Sequence, residues 1–149
     1  MILLDANLLL YAAVESFGQH EAVRSWLDER LNGTVRVAFP WPSVLAFVRI
    51  ASNPRVFERP ASVADAWQRV TDWLDCAPSW IPEPTERHRE ILDGFLRTVV
   101  TSAKLVPDAH LAALAIEHGL TLCTTDGDFA RFPGLRLENP LTKASGVDP

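Results

Sequence analysis

Short apolar runs alternate along this chain with longer stretches whose apolar residues recur every three or four positions. Ile2 to Leu4 is an unbroken apolar run closed by Asp5-Ala6-Asn7. That pattern predicts a strand buried on both faces, with its C-terminal end turning towards solvent. After a loop around Glu15 to Gln19, the residues Ala22, Val23, Trp26, Leu27 and Leu31 take helical spacing, which Asn32-Gly33 stops. Val35 to Phe39 reads as a second strand. Pro42, tolerated in a first turn, opens a largely apolar helix that runs to Asn53-Pro54. Ser62 is placed to cap a helix through about Leu74, and Trp80-Ile81, between Pro78 and Pro82, reads as a third strand.

From Thr85 onwards Ile91, Leu92, Phe95, Leu96, Val99 and Val100 mark an amphipathic helix. Val106-Pro107-Asp108 opens the next helix, His118-Gly119 closes it, and the strand Leu120 to Cys123 follows at once. Strands alternating with helices imply an α/β fold, a parallel sheet covered on both faces. Such sheets bind ligands beyond the C-terminal ends of their strands, where the strand order reverses. Asp5 ends the first strand and Asp126 follows the fourth, so the two meet there if those strands are neighbours. No repeat or linker divides the chain, which reads as one domain over 1–141 and a tail over 142–149.

Composition narrows this picture. The 149 residues, 48% of them hydrophobic, suit a single core. A net charge of -5 excludes a generally basic nucleic-acid binder while allowing a local patch or a bound cation. Cys76 and Cys123 form no CxxC pair, which indicates neither a disulfide scaffold nor a zinc site. The N-terminus lacks a basic signal-peptide region, and no apolar run reaches the roughly 18 residues of a membrane span, so a cytoplasmic protein is expected.

Taken singly, the acids have structural readings. Asp5 and Asp108 suit helix starts, Asp126 and Asp128 flank Gly127 in a turn, and Asp128 is placed to cap the short helical turn through Arg131. Taken together, three of the four converge on one sheet edge, where ionised carboxylates repel unless a cation or raised pKa values intervene. Hard oxygen donors without a His/Cys cluster suit Mg²⁺ or Mn²⁺. Without these four aspartates the formal charge of -5 would be -1, so much of the acidity belongs to the site.

The stretches "MILLDANLLLYA", "NPRVF" and "VPDAHLAALAIEHGLTLCTTDGDFARFPGLRLENPL" resemble the PIN-domain ribonucleases, specifically the VapC toxins of type II toxin–antitoxin modules. The resemblance implies an α/β/α sandwich, a Mg²⁺- or Mn²⁺-dependent endoribonuclease acting on tRNA or ribosomal RNA, a homodimer, and inhibition by a VapB antitoxin. By position, Asp5, Asp108 and Asp126 match the metal-holding acids. Asp128 matches an additional acid, and Asn7 and Thr125 match the accompanying polar residues. One departure stands out: Ala46 occupies the place of the family's second acid, and Glu15 and Glu58 are the substitutes to be weighed.

The chemistry so implied is metal-assisted hydrolysis of an RNA phosphodiester. Asp128 either orients a metal water or only caps its turn. Arg49, Arg55 and Arg59, set against a single Glu58, are either an RNA path or a solvated surface, and Arg131 either contacts phosphate or pairs with Asp128. His110, two residues past Asp108, should point away from it, and His118 suits a helix C-terminus. No catalytic histidine is expected. Trp67, Val70, Trp73 and Leu74 form either an internal stripe or, where exposed, a dimer or antitoxin contact. A receiver domain would need a lysine at a late strand end, and a haloacid-dehalogenase-like phosphatase an acid where Asn7 stands. The remaining rival is a PIN fold kept as an RNA- or partner-binding module.

Overall fold

Side chains along each short strand point alternately to two faces, and helices cover both. The structure, a computed structural model, describes residues 1–145. The strands are β1 (Ile2–Leu4), β2 (Val37–Ala38), β3 (Ser79–Trp80), β4 (Thr121–Cys123) and β5 (Arg136–Glu138). They form one sheet in the order β3-β2-β1-β4-β5, with every pairing parallel. The chain therefore builds outwards from β1 in one direction and then, with β4 and β5, in the other. The reversal falls between β1 and β4, whose register pairs Leu4 with Cys123.

The helices are α1 (Ala6–Ala13), α2 (His20–Leu31), α3 (Trp41–Ala51), α4 (Val63–Leu74), α5 (His88–Thr98), α6 (Val106–Glu117) and α7 (Pro140–Ser145). Ile2, Leu4, Val37 and Cys123 pack with α1 to α4 around Leu8, Val23, Phe47 and Val70. Leu3, Ala38 and Leu122 pack on the other side with Phe95, Ala109, Ala112, Phe129 and Phe132. This is the α/β/α sandwich that the alternation of elements implies, and the two-fold period of the strands divides its core into two layers. Ser62 caps α4 by accepting from the Asp65 N–H at 3.0 Å. Gly119, at φ 68°, takes the left-handed conformation that lets α6 turn directly into β4.

Several elements differ from the sequence expectation. The helix start read at Asp5 is that of α1, whose body carried no helical spacing in the sequence and in which Leu8, Leu9, Leu10 and Ala12 are all buried. Buried nearly all round, α1 has no polar face and hence no amphipathic period to read. β2 omits Val35, which is exposed. β5 was not anticipated, because its Arg136 and Leu137 are exposed on an edge strand and make no apolar run. Residues 142–145 of the expected tail complete α7, which packs on α2, while 146–149 lie outside the described residues. The tryptophans of α4 divide. Trp73 is buried against Phe39 and Phe47, so the stripe is internal there, while Trp67 stacks on Trp41 with both rings substantially exposed. Among the described residues no helix is long and apolar enough to cross a membrane.

Because β1 is the central strand and Leu4 is fully buried, Leu4→Ala should destabilise the fold by about 2–5 kcal/mol through lost burial plus a residual cavity. Urea unfolding followed by circular dichroism measures this, and a lower midpoint at an unchanged slope is expected.

Candidate active site

All five strands run the same way, so every segment leaving a strand emerges at one edge, and each helix that returns to start the next strand has its N-terminus there. Asp5 leaves β1, Thr124 leaves β4, and Asp108 lies in the first turn of α6, which leads into β4. The Asp5 N–H donates to the Cys123 carbonyl at 3.1 Å, extending the β1/β4 ladder by one step and bringing Asp5 level with Thr124. The acids thus gather at the reversal of strand order, as a parallel sheet of this topology places its ligand site.

The buried Thr124 hydroxyl organises this edge. It donates to Asp5 Oδ2 at 2.7 Å and accepts from Asn7 Nδ2 at 3.2 Å and from the Asp126 N–H at 3.0 Å. With both lone pairs occupied by donors, its single proton is committed to Asp5. The other Asp5 oxygen, Oδ1, accepts from the Ala6 N–H at 2.8 Å, so Asp5 caps α1 and faces the site at once. Both Asp5 oxygens act as acceptors, which suits the ionised form. Sequence reasoning named Thr125 as the accompanying hydroxyl. Thr125 is half-buried, and the hydroxyl on Asp5 is that of its neighbour. The available signal was register: the residue leaving β4 is the one level with the residue leaving β1.

Burial raises the Asp5 carboxyl above its ordinary range, partly offset by the hydrogen bonds from Thr124 and Ala6 and reinforced by the charge of Asp126. Asp108 rises to about 6, first through burial and then through the charges of Asp126, Asp5 and Asp128, with Arg131 acting in the opposite sense. Asp108 is the third residue of α6, yet no side-chain bond caps that helix. Capping therefore does not account for it. Asp126 takes the capping role expected of Asp128, accepting from the Asp128 N–H at 2.9 Å at the head of the 3-10 turn Gly127–Arg131. Asp128 itself pairs with Arg131 at 3.4 Å.

Oxygen-only donors whose mutual charge raises Asp108 fit a hard divalent cation, which would relieve that repulsion. Asn7 Oδ1 is buried without a hydrogen-bond partner, another oxygen of the same kind beside Asp5. Among the described residues no three acid, histidine or cysteine side chains stand close enough to grip a bare ion directly. A hydrated ion such as Mg²⁺, which keeps several of its waters, suits this looser arrangement.

Other expected participants lie elsewhere. Ala46 is half-buried in α3, and no carboxylate from that helix contributes to the field at Asp5 or Asp108. Glu15 and Glu58 are not among the charges felt at Asp5 or Asp108. They line a groove of about 630 Å³ between α1, α3 and α4, together with Phe47, Arg59 and Arg69 but with none of the four aspartates. Arg49, Arg55 and Arg59 are exposed on the end of α3 and the loop after it. His110 turns to α5, where its Nδ1 meets His88 Nε2 at 3.1 Å, and His88 Nδ1 pairs with Glu117. His118 Nε2 donates to the Glu83 carbonyl at 2.7 Å, so it acts as a donor at the end of α6.

Measurements on two residues, Asp108 and Thr124, check this geometry. Without metal, the Asp108 carboxyl should titrate near pH 6 by NMR. Its folded pKa lies above the unfolded value, so its favourable contribution is complete below about pH 4 and is lost as pH rises through 6. Asp108→Asn should then raise the melting temperature in EDTA at pH 8 but not at pH 3.5 to 4. Thr124→Val should cost about 1–3 kcal/mol by leaving polar partners unpaired. The same change should push the Asp5 pKa further upwards.

Comparison with known proteins identifies the family. The family model described as PIN domain matches residues 2–135. Ribonuclease VapC37 of Mycobacterium tuberculosis is 44% identical over 94% of this chain and 97% of its own length. Ribonuclease VapC33 of the same species is 37% identical over 95% and 99%. Among solved structures, VapBC2 from Rickettsia felis has a TM-score of 0.66 at 18% identity, covering 93% of this chain and 98% of its own. FitAcB from Neisseria gonorrhoeae matches with a TM-score of 0.66 at 20% identity, covering 95% and 99%. With a family model spanning nearly all of the chain and relatives of matching length, this protein belongs to the PIN domain family, alongside the VapC ribonucleases.

Proposed function

We propose that this chain is a metal-dependent endoribonuclease, the toxin of a type II toxin–antitoxin module, which cuts tRNA or ribosomal RNA in the cytoplasm and is held inactive by a VapB antitoxin. The observation that carries this reading is the gathering of Asp5, Asp108 and Asp126 at the β1/β4 reversal in a chain 44% identical to a protein named ribonuclease. The antitoxin partner is supported by structural neighbours that are VapBC complexes and a toxin–antitoxin complex from Klebsiella pneumoniae. The exposed Trp41–Trp67 pair is the apolar surface we assign to a second copy or to the antitoxin.

Asp5, Asp108 and Asp126 would hold Mg²⁺ or Mn²⁺, directly or through water. When bound, such an ion activates a water and offsets charge on the phosphate. Thr124 fixes the Asp5 rotamer and, by donating to it, favours its ionised form. Asp108, which sits in the first turn of α6 without capping that helix, keeps its lone pairs for ligation. Helices α1, α3 and α6 also begin at this edge, and their dipoles favour an anionic substrate there. Arg49, Arg55 and Arg59 offer exposed guanidinium groups along which a strand can lie. A second reading, a binding module without catalysis, is favoured by Ala46, since α3 brings no acid to the site.

The test is incubation of the purified, antitoxin-free chain with tRNA and ribosomal RNA in Mg²⁺, in Mn²⁺ and in EDTA. Discrete cleavage that needs metal is expected, with Asp108→Asn slower by about 100-fold or more and Thr124→Val by about tenfold. Intact protein that cuts nothing, or cuts equally well in EDTA, would move the chain to the binding-module reading.

A further inference from the structure

Arg131 closes the 3-10 turn that carries two of the acids. Its Nε donates to the Asp128 carbonyl at 3.0 Å, and its Nη2 lies 3.4 Å from Asp128 Oδ1. One residue thus holds the guanidinium twice, through backbone and side chain, which sets the plane of the group. The contacts use two of its five N–H donors, and the other three have no protein acceptor among the described residues. The Arg131 side chain is 35% exposed, so those donors reach solvent. A pair this exposed adds little stability. Orientation is what the contacts provide.

The position of Arg131 gives that orientation a use. Of the charges felt at Asp108 among the described residues, those of Asp126, Asp5 and Asp128 are negative and that of Arg131 is the one positive. A polyanion approaching this edge meets repulsion from the carboxylates, and a fixed guanidinium fork matches two phosphate oxygens where a mobile ammonium would not.

We infer that Arg131, held in place by Asp128, receives an RNA phosphate beside the acidic cluster, and that Asp128 is a positioning residue for Arg131 rather than a holder of the metal. The inference takes its ligand from the ribonuclease reading, and the test separates the two. Binding of a short fluorescein-labelled single-stranded RNA in Mg²⁺ is followed by anisotropy over a salt series, with Asp108→Asn as the common uncut background. Arg131→Ala should weaken binding several-fold and reduce the slope of log affinity against log salt by about 0.7, the value for one single-strand phosphate contact. Arg131→Lys should restore the slope but not the full affinity.

In cleavage assays on the otherwise native chain, Arg131→Ala and Asp128→Ala should each raise KM several-fold. Asp128→Ala should leave the Mg²⁺ concentration for half-maximal cleavage unchanged and add nothing to Arg131→Ala, as expected for residues acting as one unit. An unaltered salt slope and KM in Arg131→Ala, or a raised Mg²⁺ requirement in Asp128→Ala, overturns the inference. RNA binding that depends on Arg131 in a chain that cuts nothing would keep the contact and remove the nuclease. Cleavage indifferent to Arg131 would do the reverse.

Discussion

Pairing of β1 with β4 is the constraint from which the functional edge follows. These strands are distant in sequence and adjacent in the sheet, and their ladder continues one residue past the strands through the Asp5 N–H and the Cys123 carbonyl. That extra step brings the Thr124 hydroxyl to Asp5, and the same hydroxyl then anchors Asn7 and the backbone of Asp126. A single buried threonine thereby joins the segment leaving β1 to the segment leaving β4. Slipping the β1/β4 register by one residue would exchange the two core layers and separate Asp5 from Thr124, so packing and site geometry are fixed by the same pairing.

The site opposes the stability that this pairing supplies. Burial and neighbouring negative charges raise Asp108 to about 6 and lift Asp5 as well, so at neutral pH the folded chain holds carboxylates that are less favourable there than in the unfolded chain. The surrounding structure tolerates this because Asp5, Asp126 and Thr124 also serve the backbone, the two acids as caps and the threonine as a turn acceptor. Asp108 is the exception, with no capping bond to its credit, and the energetic strain of the cluster is concentrated there.

Much of this was legible beforehand, for identifiable reasons. Helices α2 to α6 announced themselves by three- and four-residue spacing and by stop signals such as Asn32-Gly33 and His118-Gly119, and β1 and β4 by short apolar runs. The three principal acids were legible because strand ends and helix starts in an alternating chain all fall at one edge. Helix α1 was legible only at its Asp5 cap, because burial of nearly its whole surface erases the periodicity that marks a surface helix. β5 was not, because an exposed edge strand carries no apolar run.

The sequence alone determined the alternation of elements, the two-faced burial of the central strands and the carboxylate chemistry, since these depend on local spacing and residue type. Only the tertiary structure decided which hydroxyl meets Asp5 and that Glu15 and Glu58 line a separate groove. Those outcomes depend on strand register and on which face of each element turns inwards. The contacts that join Thr124 to Asp5 and Asn7 span more than a hundred residues, and no local pattern encodes them.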